Sequence, residues 1–208
     1  MELARITLNP ANRQARRDLA DPYDMHSTLA RVFAPSPEEP PGPFLWRLEA
    51  TPGSEAAQLL VQSVGVGRWG ILATEIPGWA LRVDLRSWNP ADVLQSDLHV
   101  RFRLRANPTV TRDGKRRALL KEPDQRQWLE RQFAKSGLQA TGFEVLEGVR
   151  LSARRRRDGG ALLTVNAVLY EGTAVVRDAS ATATAVVQGL GHARMLGLGL
   201  LSLAPLRP

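Results

Sequence analysis

The chain contains no cysteine, which excludes disulfide bonds, a thiol nucleophile and any metal site built from thiolates. No apolar run approaches the roughly 18 residues that a membrane-spanning helix requires, so we expect no membrane partner. The first residues, "MELARITLNP", alternate like a strand and lack the basic and then apolar layout of a signal peptide. These absences predict a cytoplasmic protein.

Acidic residues are scarce in the second half of the chain. Residues 1–100 carry 9 basic and 12 acidic side chains, whereas residues 101–208 carry 19 and 9. Positive charge confined to one half is typical of a protein that binds a polyanion, which predicts a nucleic-acid partner. A GC-rich genome would explain why arginine outnumbers lysine, but it would not explain this asymmetry.

Common catalytic motifs are also missing. The sequence has no His-x-x-x-His pair, no Asp-x-Asp cluster on a strand and no Gly-x-Ser-x-Gly turn. Among enzymatic options, these absences favour acid–base chemistry without a metal. A binding module without catalytic activity stays open beside it.

Hydrophobic periodicity predicts the same order of elements twice. The segments from "ELARITL" to "WALRVDL" follow the order β-α-β-β-α-β, and so do those from "LHVRFRLRA" to "LGLGLLSLA". This repetition predicts an α+β fold of two tandem ferredoxin-like domains. We expect an N-terminal domain over residues 1–92 and a C-terminal domain over 97–208, joined by the polar stretch "SWNPADVLQSD".

The stretch "DLADPYDMHSTLARVF" predicts a helix with two side chains suited to catalysis. Asp21 is a good N-cap, and Pro22 suits the first helical position. An apolar stripe follows at helical spacing: Met25, Leu29, Val32 and Phe33. Tyr23 and His26 lie about 60° apart around the helix and off the centre of that stripe. Both could enter one cleft as an acid–base pair, or they could be partly exposed side chains without a role.

Two further segments are candidate nucleic-acid contacts. The tip of a predicted hairpin in "SARRRRDGGALL" carries four consecutive arginines: Arg154, Arg155, Arg156 and Arg157. No face of a strand can bury all four, which favours contact with RNA or DNA over a solvated tip. The segment "GLGHARMLGLGLLSLAP" surrounds His192 and Arg194 with glycines, which allow a backbone to approach phosphate groups closely. A flexible turn into the last strand would use the same residues.

Three segments resemble the CasE (Cse3) family of CRISPR-associated endoribonucleases: "LNPANRQARRDLADPYDMHSTLARVF", "RFRLRANPTVTRDGKRR" and "GLGHARMLGLGLLSLAP". They fall in the family's order and span nearly the whole chain. The resemblance implies tandem ferredoxin-like domains and metal-independent, cofactor-free cleavage of CRISPR precursor RNA at the 3′ base of repeat stem-loops. It implies attack by a 2′-hydroxyl, which leaves a 2′,3′-cyclic phosphate and a 5′-hydroxyl. It further implies a protein that is a monomer when free and that stays on the RNA hairpin among the other Cascade subunits.

The resemblance also implies roles for individual residues. Tyr23 and His26 match the family's catalytic pair in the frame "YDMHSTL", and Arg31 corresponds to a basic residue that would stabilise charge at the scissile phosphate. The hairpin with Arg154 to Arg157 would enter the major groove of the stem. A basic loop containing Lys115, Arg116 and Arg117 would contact the RNA as well.

The tail departs from the family pattern. Relatives often have Gly-Lys-Ala before the last strand, where this chain has Ala193, Arg194 and Met195. Arg194 would then take the place of a lysine as phosphate partner, although a guanidinium is larger and binds in a bidentate manner. His192 competes with His26 as acid or base. An RNA-hairpin-binding subunit without catalytic activity remains the alternative function, with a metal-dependent nuclease as a third possibility.

Overall fold

The computed structural model describes residues 1–36, 38–49, 56–155 and 160–206, apart from the side chains at 147, 155 and 161. The chain forms two compact units. The first contains residues 1–88, 152–163 and 195–197, and the second contains 89–151, 164–194 and the chain from 198 onwards. The domain ranges 1–92 and 97–208 stay a prediction.

The first unit is a four-stranded antiparallel sheet with helices packed on one face. Its elements are β1 (Glu2–Leu8), α1 (Arg13–Ala20), α2 (Pro22–Phe33), β2 (Phe44–Glu49), β3 (Gln58–Ser63), α3 (Gly70–Glu75) and β4 (Ala80–Ser87). The strands lie in the order β2-β3-β1-β4. Alternation along β1 buries Ala4, Ile6 and Leu8, and these side chains pack with Leu29 of α2 and with Trp79.

The second unit repeats this arrangement. Its elements are α4 (Pro90–Val93), β5 (His99–Ala106), β6 (Thr109–Arg112), β7 (Lys115–Ala118), α5 (Glu122–Lys135), β8 (Leu138–Arg155), β9 (Ala161–Val176), α6 (Ala179–Gln188) and β10 (Leu201–Pro205). The main sheet has the order β10-β5-β9-β8, while β6 and β7 form a separate hairpin. The distal ends of β8 and β9, within residues 152–163, belong to the first compact unit.

The two predicted copies of β-α-β-β-α-β are confirmed. In each main sheet the first strand lies between the third and the fourth, which is the ferredoxin-like strand order. The predicted N-cap at Asp21 is also present and separates α1 from α2, because a residue that precedes proline favours extended backbone. Asp21 adopts φ −134° and ψ 113° there. Among the described residues, no helix has the length and apolar character needed to cross a membrane.

Candidate active site

A buried carboxylate holds α2 against the core of the first unit. Asp18 of α1 is 1% exposed, and its Oδ2 accepts hydrogen bonds from Thr28 Oγ1 at 2.7 Å and from Trp79 Nε1 at 2.9 Å. Burial raises the pKa of Asp18, while the hydrogen bonds from Thr28 and Trp79 oppose that rise. The bonds join α1, α2 and the segment before β4, so the helix that carries Tyr23 and His26 has a fixed place on the sheet.

His26 belongs to an aromatic stack. Its ring stacks on Phe44 of β2 with a centroid distance of 4.9 Å. Phe44 stacks in turn on Phe33 at 4.8 Å, and Phe33 meets Trp69 edge to face at 5.5 Å. The sequence contains the signal for this: His26 and Phe33 are seven residues apart, which puts them within about 20° on a helix. The role of Phe44 has no such signal, because strand and helix meet only in the fold.

Burial also sets the protonation of His26. Nδ1 is buried without a hydrogen-bond partner, so Nε2 is the ring nitrogen that can reach a substrate. Burial lowers the pKa of His26 from 6.5 to about 4, because the charged imidazolium loses solvation that nothing replaces. The free protein therefore holds a neutral imidazole at pH 7, the form that accepts a proton.

We expect this lowered pKa to make the protein acid-sensitive. In the unfolded chain His26 takes up a proton near pH 6.5, whereas in the folded protein it does so only near pH 4. The folded state is therefore favoured by neutral His26 above pH 6.5, and this contribution to the free energy of unfolding is lost as the pH falls to 4. Between pH 7 and 5, wild type should lose about 1 to 2 kcal/mol more unfolding free energy than His26→Asn. Urea unfolding at both pH values measures the difference. Exposed His99→Asn is the control, and equal losses in all three proteins would contradict the prediction.

Tyr23 lies on the first turn of α2. Its backbone N–H donates to Asp21 Oδ1 at 2.9 Å, which fixes the start of the helix. The side chain is half-buried, and within the described ranges its hydroxyl has no hydrogen-bond partner. This hydroxyl is therefore available to a ligand. The catalytic pairing of Tyr23 with His26 stays a prediction.

Arg31 lies in an ion pair. Its Nη1 is 2.9 Å from Glu75 Oε2 at the end of α3, and both side chains are nearly half exposed. At about 100° per residue, Arg31 projects about 140° around α2 from His26, with Tyr23 between them. A role for Arg31 at the phosphate of a substrate requires the guanidinium to leave Glu75.

The distal end of β8, which leads into the tip of the arginine hairpin, lies in the first unit beside α2. The side chain of Arg154 is exposed, and its backbone N–H donates to Asp21 Oδ2 at 3.2 Å. The preceding Ala153 is 2% exposed. The side chain of Arg155 and the whole of Arg156 and Arg157 lie outside the described residues.

The structure brings three of the predicted RNA-binding residues together in the second unit. The pKa of the exposed His192 is lowered by partial burial and then by the charges of Arg116 and Arg194, which places the three in one basic cluster. Lys115, Arg116 and Arg117 lie on strand β7, not in the loop that the resemblance implied, and all are exposed. Successive side chains of a strand alternate, so Lys115 and Arg117 face away from Arg116.

The glycines of the tail serve packing within the protein. A Cβ on Gly197, at φ +75°, would lie 2.7 Å from the Trp46 ring, and one on Gly199, at φ +89°, would lie 2.8 Å from the Leu190 carbonyl oxygen. Both glycines are buried. Arg194 donates from Nη2 to the Gly189 carbonyl at 3.3 Å. The alternative reading, a turn into the last strand, therefore has direct support, while contact of this segment with phosphate stays a prediction.

Among the described residues, no three His, Asp or Glu side chains are grouped so that they could hold a metal ion. The groups that carry the candidate chemistry are a neutral imidazole, a phenol and an arginine on α2, close to the distal end of β8 in the arginine-rich hairpin. These groups suit proton transfer near a phosphate.

Comparisons with known proteins agree with this arrangement over the full chain. A family profile described as CRISPR associated protein matches residues 1–205. The CRISPR-associated endoribonuclease Cse3 of Thermus thermophilus is 40% identical over 99% of this chain and 100% of its own length. The chain belongs to the CasE (Cse3) family of CRISPR-associated proteins. The predicted family resemblance is thus confirmed.

A second relative and a solved structure of Cse3 extend the comparison. The CRISPR system Cascade subunit CasE of Escherichia coli is 29% identical over 92% of this chain and 96% of its own length. A solved structure of Thermus thermophilus Cse3, bound to an RNA representing a pre-cleavage complex, superposes with a TM-score of 0.87. It is 37% identical, and the match covers 98% of each chain. The tandem ferredoxin-like fold is therefore that of the family.

Proposed function

We propose that this chain is a metal-independent endoribonuclease that cleaves CRISPR precursor RNA at the 3′ base of the repeat stem-loop. The products would be a 2′,3′-cyclic phosphate and a 5′-hydroxyl, and the protein would stay on the mature hairpin as a Cascade subunit. The observation that supports this most is the 40% identity to the endoribonuclease Cse3 over the whole of both chains. We further propose that it acts in the cytoplasm and is a monomer before it binds RNA.

The proposed chemistry follows from the protonation state of His26. The 2′-hydroxyl next to the scissile phosphate must lose a proton as its oxygen attacks phosphorus, and the leaving 5′-oxygen must gain one. His26 is neutral in the free protein, so we assign it the role of general base through Nε2. The negative phosphate of a bound RNA raises the pKa of an adjacent imidazole, which strengthens the base in the complex. The Tyr23 hydroxyl then gives its proton to the leaving 5′-oxygen and regains one from solvent, to which His26 releases the proton that it accepted.

Arg31 would stabilise the charge that develops on the phosphate. Its pair with Glu75 is exposed, and exposed ion pairs contribute only about 0 to 1 kcal/mol, so a phosphate can displace the carboxylate at low cost. A guanidinium is suited to this exchange because it binds phosphate through two parallel hydrogen bonds.

We expect Glu75→Gln to bind RNA several-fold more tightly than wild type, because Arg31 no longer has to leave a carboxylate. The measurement is the Kd for a repeat hairpin with a 2′-deoxy nucleotide at the cleavage site, which binds but lacks the nucleophile. Asp84→Asn is the matched control, because Asp84 is an acid of the same unit whose side chain is nearly half exposed, like that of Glu75, and is paired with Arg82 at 2.7 Å. An equal gain in both variants would mean that only net charge matters and would contradict the exchange.

The test of the proposed function is cleavage of a labelled repeat hairpin by wild-type protein in excess EDTA. We expect one cut at the 3′ base of the stem. The 3′ end of the upstream product should resist end-labelling until its 2′,3′-cyclic phosphate is opened. Cleavage that stops in EDTA and returns with a divalent ion would favour a metal-dependent nuclease. Binding without cleavage in any buffer would favour the RNA-binding subunit.

A further inference from the structure

Asp21 forms hydrogen bonds with three segments of the first unit: α1, α2 and the distal end of β8. Its backbone N–H donates to the Arg17 carbonyl at the end of α1, at 3.2 Å, and its own carbonyl accepts from Met25 N–H in α2 at 3.1 Å. Its side chain is divided between two partners. Oδ1 accepts from the N–H of Tyr23 at 2.9 Å, and Oδ2 accepts from the N–H of Arg154 at 3.2 Å. All four polar groups of Asp21 are thus used.

The bond to Arg154 uses a donor that the sheet leaves free. β8 is the edge strand of its sheet, so every second backbone N–H along it has no partner within the sheet. The outward N–H of Arg154 meets the Asp21 carboxylate, and the adjacent Ala153 side chain is buried. The distal end of β8, just before the tip of the arginine hairpin, is therefore held at the first turn of α2 by one hydrogen bond.

We propose that Asp21 is a positioning residue that fixes the register between the arginine hairpin and the first turn of α2. This inference rests on the proposed function, in which the hairpin holds the RNA stem and Tyr23 and His26 act on the scissile phosphate. The carboxylate sets the distance between the part that holds the stem and the part that cuts. A misplacement of reacting groups by about 1 Å can lower a rate by about 10²-fold, so even one such bond affects cleavage.

Three substitutions separate the two bonds of the Asp21 side chain. Asn caps a helix as well as Asp, and Ser nearly so, hence Asp21→Asn and Asp21→Ser keep an acceptor for Tyr23 N–H. Neither offers a second acceptor to Arg154, because Asn presents an amide donor there and Ser has a single oxygen. Asp21→Ala loses both bonds. Asp178→Asn is the control, because Asp178 caps α6 by accepting from Ala181 N–H at 2.9 Å and loses the same charge.

We expect Asp21→Asn and Asp21→Ser to cleave bound hairpin about tenfold or more slowly at saturating protein. Their Kd for the 2′-deoxy hairpin should stay within about twofold of wild type and their Tm nearly unchanged, whereas Asp21→Ala should also lose about 2 to 4 °C in Tm. Hydrogen exchange at the Arg154 amide, protected in wild type, should become fast in all three. Asp178→Asn should match wild type in rate, Kd and exchange at Arg154.

Two outcomes would overturn the proposal. One is a wild-type cleavage rate in Asp21→Asn although the Arg154 amide exchanges fast. The other is a parallel loss of rate, affinity and Tm, which would describe a residue needed only for stability. Failure of the proposed function itself would appear earlier and separately, as wild-type protein that binds the hairpin without cutting it.

Discussion

His26→Ala is expected to lower the rate of RNA cleavage by about 10² to 10⁴-fold while hairpin binding survives. The reason is that the imidazole is the one side chain on α2 that is neutral and able to accept a proton through an accessible nitrogen at pH 7. The measurement is the single-turnover rate at saturating protein, together with the Kd for a hairpin with a 2′-deoxy nucleotide at the cleavage site.

The aromatic stack requires a second variant. Removing the imidazole leaves Phe44 with Phe33 as its one described stacking partner, so His26→Ala can lose stability as well as chemistry. His26→Gln keeps most of the volume but cannot act as a base near neutral pH, and we expect the same loss of rate with a Tm closer to that of wild type. Tyr23→Phe, which removes only the phenol oxygen, should slow cleavage without a change in folding.

His192 offers the direct comparison for His26. It is exposed, lies in the second unit and is close enough to Arg116 and Arg194 for their charges to lower its pKa, so its loss should weaken binding more than it slows the cleavage step. If His192→Ala abolished cleavage while His26→Ala cut at the wild-type rate, the assignment of the base to His26 would be wrong. If neither variant differed from wild type in rate, acid–base chemistry by histidine would have to be abandoned.

The strands, the start of α2 and the sheet order could be predicted from local sequence patterns. Val100, Phe102 and Leu104 alternate with His99 and Arg101 along β5, and the structure buries the first set and exposes the second. The start of α2 was predictable too, because a cap, a proline and the apolar stripe are all encoded within a dozen residues. Sheet order followed from the repeated β-α-β-β-α-β pattern.

Contacts between distant segments were not predictable from the same patterns. Helical spacing fixes the direction of His26 but cannot reveal Phe44, which lies on a strand, and it cannot pair Arg31 with Glu75 across 44 residues. The second partner of Asp21 lies 133 residues away on an edge strand. The glycines of the tail could not be assigned from composition, which allowed both phosphate contact and a turn; their φ values and neighbours indicate packing against Trp46 and Leu190, while phosphate contact stays a prediction.

Replacing the four hairpin arginines by glutamine is expected to weaken binding of the RNA stem by about 10²-fold at moderate salt. The variant is R154Q/R155Q/R156Q/R157Q. Each arginine that neutralises a phosphate releases about 0.7 to 0.9 of a counterion, so the slope of log Kd against log salt concentration should fall by about 3. The described part of the hairpin supports this, because the Arg154 side chain is exposed while its backbone is held by Asp21. Titrations of the 2′-deoxy hairpin between about 50 and 400 mM salt, a range that includes physiological ionic strength, give both quantities.

A matched pair of double variants separates local contact from net charge. R156Q/R157Q removes two charges from the predicted hairpin tip, and R82Q/R86Q removes two exposed charges from β4 of the first unit. If the arginines acted only by long-range attraction, both double variants would show the same small loss of RNA affinity, because charges beyond a Debye length of about 8 to 10 Å are screened. Contact at the tip instead predicts that the slope of log Kd against log salt falls in R156Q/R157Q by about half as much as in the quadruple variant. R82Q/R86Q should keep the wild-type slope. Equal slopes for the two doubles would place the stem elsewhere on the protein, and the hairpin would then have no part in holding the RNA that Tyr23 and His26 are proposed to cut.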